Sequence, residues 1–558
     1  MFDRLARDDF VRKLLLIRET VEERGMTHEA TRRGFLHTAG IAMAALSGPK
    51  TVSTANETPG QSTPQRIFDV REFGAQGDRK AVDTPAINKA IEAAANAGGG
   101  TVVFPAGTYL CYSIRLKSKV SVFLGPGSTV VAADPPAQSH GEGYDLAESN
   151  QPWEAYQDYG HNHWHNSLIW GENLEDVTIQ GPGLIWGKGL SRGEGAGPVA
   201  EVPGVANKAI ALKNCRNVLL RDFSILHGGH FGILATGVHN LTIDNLKIDT
   251  QRDGIDVDCC RNVRISNCTV NSPWDDAICL KSSYALGYAG DTEMVTITNC
   301  MVSGSYTEGA VLDASFKRFP PESDVDRNGR IKFGTESNGG FKNITISNCV
   351  FDGCFGVAIL SVDGAQIEDV TLSNITMRGT VASPIFLRLG TRMRGPAGVP
   401  VGRIRRVNIS NVVSSSGSSQ ICSMIAGVPG YLVEDVRISN ILVEHPGGGT
   451  RKDAALQLPE KEKEYPEPTM FGTTPASAFF IRHARRIQIS DFKILAQNKE
   501  ERPCFILEDV EGAEFSNITF PEKQENPRFV LNNVKDFSIV RSRPVADVEI
   551  RETEHQEI

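Results

Sequence analysis

The sequence predicts an all-β fold, a single-stranded right-handed parallel β-helix (a solenoid) with an N-terminal capping helix. Three observations predict it. Short β-branched strands recur about every 22 to 25 residues, within the solenoid range. Between them lie no helical stretches of useful length. Asn and Cys return at matching places, as in Ser-Asn-Cys at Cys268 and Cys349 and Thr-Asn-Cys at Cys300.

The repeat is visible in Asn217-Val218-Leu219-Leu220, Asn240-Leu241-Thr242-Ile243, Asn262-Val263-Arg264-Ile265, Asn343-Ile344-Thr345-Ile346 and Val407-Asn408-Ile409. Units this short cannot bury a core alone, so they must stack, each covering the next. The recurrent Asn and Cys then fall into internal ladders and are structural. A propeller would need longer blades, of about 40 to 45 residues, with tryptophan signatures that are missing. Before the repeats, Ala86, Ile87, Ala90, Ile91 and Ala94 fall at helical spacing after Asp83-Thr84, and Ala97-Gly98-Gly99-Gly100 ends the run. A solenoid exposes its first rung, and this helix is placed to cover it.

Bulk properties agree. The 558 residues are 40% hydrophobic and 7% aromatic, with 54 glycines to serve many turns, and the formal net charge is −9. There is no Lys/Arg run, which argues against nucleic acid as a partner. The eleven cysteines are scattered and contain no CxxC pair, so neither a disulfide framework nor a zinc ribbon is expected.

Residues 1–55 read as a twin-arginine signal region: Thr31-Arg32-Arg33-Gly34-Phe35-Leu36, a weakly apolar stretch from Ala39 to Leu46, and a small-residue cleavage site at Ser53-Thr54-Ala55. Export to the periplasm or the extracellular space follows, with no membrane span in the mature protein. Residues 56–545 are expected to form the β-helix domain and residues 546–558 a flexible tail.

Two adjacent rungs break the apolar pattern: Gln251-Arg252-Asp253-Gly254-Ile255-Asp256 and Trp274-Asp275-Asp276-Ala277-Ile278. Asp253 and Asp275 are 22 residues apart, one rung, and so stack at roughly 5 Å. A lone Asp-Gly would be only a turn. Three carboxylates crowded together raise the pKa of at least one, which can then donate a proton near neutral pH. Hydrolysis of a glycosidic bond needs one protonated and one ionised carboxyl.

At these residues the chain resembles glycoside hydrolase family 28, the polygalacturonases and rhamnogalacturonases of the pectin lyase-like superfamily. The likeness runs from about Phe68 to Thr376 through Val70–Gly74 with Asp78 and Asp83-Thr84, Leu168–Asn173, Gly181-Pro182-Gly183 and the two carboxylate rungs. It implies an inverting hydrolase without a cofactor, acting on a pectin-like polysaccharide or oligosaccharide. Asp275 would be the general acid, with Asp253 and Asp276 activating water. The family's Asn-Thr-Asp corresponds to Arg252-Asp253 and their neighbours. Its Gly-His-Gly falls near Tyr306-Thr307-Glu308-Gly309, placing Glu308 where the His stands. Its Arg-Ile-Lys falls by rung counting at Ala358-Ile359-Leu360, without cations. The literal Arg330-Ile331-Lys332 offers a second way to hold an anionic sugar, since Arg330 and Lys332 point the same way on a strand.

Further substrate contacts are expected from Lys281, Trp274 and Trp164. Lys281 could equally form salt bridges to the aspartates. His161-Asn162-His163-Trp164-His165 reads as a sugar-contacting loop with Trp164 as a stacking platform, in preference to a metal site. Asp324-Val325-Asp326-Arg327-Asn328-Gly329 matches the start of a calcium loop, but the closing acid falls one position late, at Glu336, so a polar surface turn is expected. The long insertion from Phe316 to Arg330 could close one end of a substrate groove. Two other activities suit the same fold: a polysaccharide lyase, and a non-catalytic glycan-binding protein.

Overall fold

The computed structural model describes residues 66–136, 143–193, 201–418, 420–522 and 526–558. The twin-arginine region lies outside the described residues. Among them no helix is long and apolar enough to cross a membrane.

The chain from Gln65 to Ile558 is one unit, a stack of parallel strands in three faces. Each strand pairs with its counterpart one turn later. Val218, Leu241, Val263, Val295 and Ile344 lie directly beside one another, as do Leu220, Ile243, Ile265, Ile297 and Ile346. All ten are at most 2% exposed, so the alternating pattern of each repeat becomes a continuous internal column.

The predicted Asn ladder forms. Asn262 donates to Asn240 and Asn240 to Asn217, at 2.7 and 2.9 Å. Each adopts a left-handed backbone, φ 56–57°, which Asn tolerates better than β-branched residues do. This is why the repeats turn at Asn. Cys268, Cys300 and Cys349 are buried free thiols on successive rungs.

Helix α1 (Thr84–Asn96) buries Ile87, Ala90, Ile91 and Ala94 against the first rung, as expected. Asp83, at its start, accepts hydrogen bonds from the backbone N–H groups of Gln76 and Gly77, tying the preceding turn to the cap. The other end corrects the sequence reading. Residues 546–558 are not a loose tail: Val548–Glu557 is a strand that pairs antiparallel with Phe529–Val540. The last rung has an unpaired edge, and this charged strand covers it.

One face carries the site. Its strands β1 (Phe231–Thr236), β2 (Asp253–Asp258), β3 (Ile278–Ser282), β4 (Ile331–Ser337) and β5 (Val357–Ser361) follow rung by rung. They pair in that order. Outside this face lie two covers. Trp164 packs with Ala211, Phe231 and Leu234 on the early rungs. Leu458, Phe471 and Ala476 pack on Ala358, Leu360, Phe386, Met424 and Phe480 on the late ones.

Candidate active site

Between the two covers a cavity of about 700 Å³ opens over β2, β3 and β4, a volume suited to a small ligand. Asp253 at the start of β2 and Asp275 just before β3 line it, with Arg252, Lys281, Lys332 and Trp274. Asp276 lies directly beneath, 1% exposed. One carboxylate oxygen each of Asp253, Asp275 and Asp276 lies within 4.8 Å of the other two. The rung arithmetic is therefore realised: a 22-residue step brings the three carboxylates together.

Their environments differ sharply. Asp276 is held by Arg330 Nε at 2.9 Å and Lys332 Nζ at 2.5 Å. Burial works to raise its pKa, but these two cations keep it below the usual carboxylate range. Asp275 meets Arg252 at 2.9 Å. Asp253 accepts the backbone N–H of Asp276 at 3.2 Å. Burial, then the charges of Asp256 and Asp275, push its pKa well above the ordinary value.

A second charged layer runs from the lining residues Lys281 and His161 inward to Asp256 and Glu336. Lys281 Nζ approaches Asp256 at 3.6 Å and Glu336 at 3.3 Å. His161 lies 3.0 Å from Glu336 and 3.5 Å from Asp256. Burial alone would lower the His161 pKa; Glu336 and Asp256 overcome it and raise it to about 9. His230, in the wall, is driven down to about 3 by burial and by Arg252, and is neutral.

Several expectations change at this point. Lys281 reaches the cavity, yet its partners are Asp256 and Glu336, so it both pairs and faces the ligand space. Trp274 lines the wall, edge-on to Phe319 of the 316–330 insertion. Trp164 is no stacking platform: it is 2% exposed and donates to Thr236 Oγ1 at 3.1 Å. Its segment's apolar ring serves the cover better than the solvent. Glu308 does not stand on the rung after Asp276. It is not a lining residue itself, but accepts from Gln251, which is, and pairs with His227, because the chain leaves the face between Ser303 and Arg330. The next rung is Arg330-Ile331-Lys332, with Lys332 beside Cys279 and then Ala358. Ala358-Ile359-Leu360 therefore stands one rung after Arg330-Ile331-Lys332. Lys332 pairs with Asp276, and Arg330 with both Asp276 and Glu467; of the two, only Lys332 also lines the cavity.

Glu336 serves His161 and Lys281, which removes it from any calcium loop with Asp324. Asn328 and Gly329 instead donate to the carbonyls of Pro273 and Asp275, returning the insertion to the rung of Asp275 and Asp276. His161, from the segment expected to contact sugar, does line the cavity, whereas sequence reasoning passed over Asp158, Arg192 and Tyr465 as lining groups. Tyr465 comes from the second cover, far along the chain, and no local pattern marks it. Arg252 was visible as a departure from Asn-Thr-Asp.

Comparison with known proteins agrees with this architecture. Residues 67–153 match the family described as rhamnogalacturonase A/epimerase, pectate lyase-like, and residues 208–382 match the right-handed β-helix region. A probable polygalacturonase of Vitis vinifera is 23% identical over 406 residues, 67% of this chain and 73% of that protein. Alginate lyase 7 of Azotobacter vinelandii is 57% identical over 73 residues, 12% of this chain and 8% of that protein. Among solved structures, a family 28 exopolygalacturonase of Yersinia enterocolitica superposes with a TM-score of 0.55 at 18% identity, covering 86% of this chain and 79% of that one. A hyperthermoactive exopolygalacturonase of Thermotoga maritima gives 0.54 at 16% identity, covering 88% and 94%. The chain has the right-handed parallel β-helix fold of the pectin lyase-like superfamily.

Proposed function

We propose that this protein is a glycoside hydrolase of the polygalacturonase type that removes sugars from the ends of a pectin-like polysaccharide or oligosaccharide. The observation that carries this is the triad Asp253, Asp275 and Asp276, with one member burdened toward protonation and one held ionised, at the floor of a cavity. The polygalacturonase relatives support the substrate class. The two covers support attack at chain ends: a long polymer lying along this face would collide with Trp164's segment on one side and with Leu458 and Phe471 on the other. The 316–330 insertion, through Phe319 and Trp274, narrows the flank.

The resemblance implies inversion. One oxygen of each carboxylate lies within 4.8 Å of the others, a closely set group beside the ~6.5–9.5 Å between carboxyl groups usual for inverting pairs, so the anomeric outcome is the informative readout. The test is digestion of polygalacturonate, rhamnogalacturonan, galactan and arabinan with the mature protein, followed by proton NMR at early times. Release of mono- or disaccharide with inverted configuration is expected. Retention would replace activated water by direct carboxylate attack. Failure to cleave any of these glycans would remove the proposal.

The alginate lyase match and the cations Arg252, Lys281 and Lys332 at the cavity favour one second reading, β-elimination next to a uronate carboxylate. An unsaturated product would identify it. Delivery outside the cytoplasm by the twin-arginine route is part of the proposal. Export should cease when Arg32 and Arg33 are both replaced by Lys.

A further inference from the structure

The three histidines of the 161–165 segment diverge in the fold. His161 turns into the cavity, and His163 turns to Glu154 at 3.6 Å. His165 turns to Glu172 at 2.9 Å and to Glu148 at 3.6 Å, and none of these three lines the cavity. Glu172 ends the strand Ile169–Glu172 of an early rung. Glu148 and His165 belong to the stretch that carries Trp164 over those rungs. One ligand atom each of Glu148, His165 and Glu172 lies within 4.8 Å of the other two.

The other oxygen of each carboxylate is already engaged. Glu148 Oε2 accepts the backbone N–H groups of Trp164 and His165, at 2.9 and 3.4 Å. Glu172 Oε1 pairs with Lys213 Nζ at 3.0 Å. The indole of Trp170 lies against the His165 ring, with centroids 3.9 Å apart. These supports leave Glu148 Oε1, Glu172 Oε2 and His165 Nε2 facing one another. Glu148 Oε1 is buried, and no hydrogen-bond donor among the described residues reaches it. That is a costly place for a carboxylate oxygen unless a positive charge comes to it. The 3.6 Å to His165 is too long for a hydrogen bond. Separations of 2.9 and 3.6 Å instead bracket the ~3.4 Å edge of a tetrahedron built on ~2.0–2.1 Å metal bonds.

We propose that Glu148, His165 and Glu172 form a binding site for one divalent metal ion of the zinc type, which pins the first cover to the early rungs. Two carboxylates and an imidazole suit zinc, whereas calcium takes oxygen ligands. Lys213 offsets one of the two carboxylate charges and leaves the other for the metal. The N–H, ammonium and indole contacts are the outer support that orients a metal's ligands. All three side chains are partly exposed, so water has access to the fourth position. The site lies apart from the aspartates and does not rest on the hydrolase reading.

The test uses tag-free protein stripped with a chelator and titrated with Zn²⁺ or Co²⁺ alone. One equivalent should bind, Co²⁺ should give the visible absorption of a low-coordinate site, and Zn²⁺ should raise the melting temperature. His165→Gln and Glu172→Gln should lose that equivalent, while Asp275→Asn keeps it. Glu148→Gln, whose amide oxygen preserves the two backbone hydrogen bonds, serves where another variant does not fold. Metal retained by these variants but lost from Asp275→Asn would assign it to the aspartates and overturn the proposal. Absence of binding by the parent protein would leave an ion pair only and overturn it as well. Amide exchange across residues 144–168 should slow when Zn²⁺ is bound; unchanged exchange would remove the pinning role.

Discussion

The rungs from Asp253 to Glu336 and those from Ala358 to Ile506 share one face of parallel strands, yet they do opposite things. In the first set the outward positions are Asp256, Lys281, Lys332 and Glu336, buried among themselves as charges. In the second they are Ala358, Phe386, Met424, Phe480 and Ile506, buried under an apolar cover. A β-helix holds its inner column constant, so outward positions are free to vary from rung to rung. Where they are ionic, covering them with apolar groups would be costly, and a cavity remains. Where they are apolar, a long insertion folds down and closes the surface. The site is thus bounded by a change of chemistry along one strand column.

That contrast can be broken from either side. The largest effect is expected at Asp275→Asn, which should lower kcat by roughly 10²–10⁴-fold with little change in melting temperature, measured on the glycan identified by digestion. Asp276→Asn should do more harm to folding. It leaves Lys332 buried without its carboxylate and Arg330 with Glu467 alone, a loss of about 3–5 kcal/mol readable by denaturant unfolding. On the covered side, Phe386→Ala should cost about 3–5 kcal/mol while kcat stays within a factor of a few. If it abolished turnover instead, the cover would be part of the chemistry.

A pH experiment separates the charged layer further. His161 is raised from 6.5 to about 9 by its partners, so its contribution is fully present below pH 6.5 and lost as pH rises through 9. The stability gap between the parent and His161→Gln, at most about 3 kcal/mol, should shrink across that window. The smallest effect belongs to the scaffold. Asn240→Ala interrupts the ladder at one exposed rung and should cost about 1 kcal/mol, with no change in activity.

The sequence was informative where the physics is local or periodic. β-Branched alternation, turns at Asn and a one-rung spacing between Asp253 and Asp275 are properties of the chain read in steps. They led to the solenoid, the capping helix and the carboxylate triad. It misled where chemistry was inferred from residue type alone. A Trp among His residues looked like a sugar platform and is core, because its ring fits the apolar column of Ala211, Phe231 and Leu234. A charged C-terminal stretch looked loose and is an edge strand, because the last rung offers it unpaired backbone groups.

Residue order by itself determined the repeat, the stacking of aspartates and the absence of a cationic arm, since each depends on spacing along the chain. Only the tertiary structure decided which cation neutralises which carboxylate. Arg330 and Lys332 reach Asp276 from 54 and 56 positions further along the chain, and Tyr465 arrives from another 133 beyond Lys332. Ion pairing and desolvation depend on distance through space, and that distance exists only once the insertions have folded back onto the rungs.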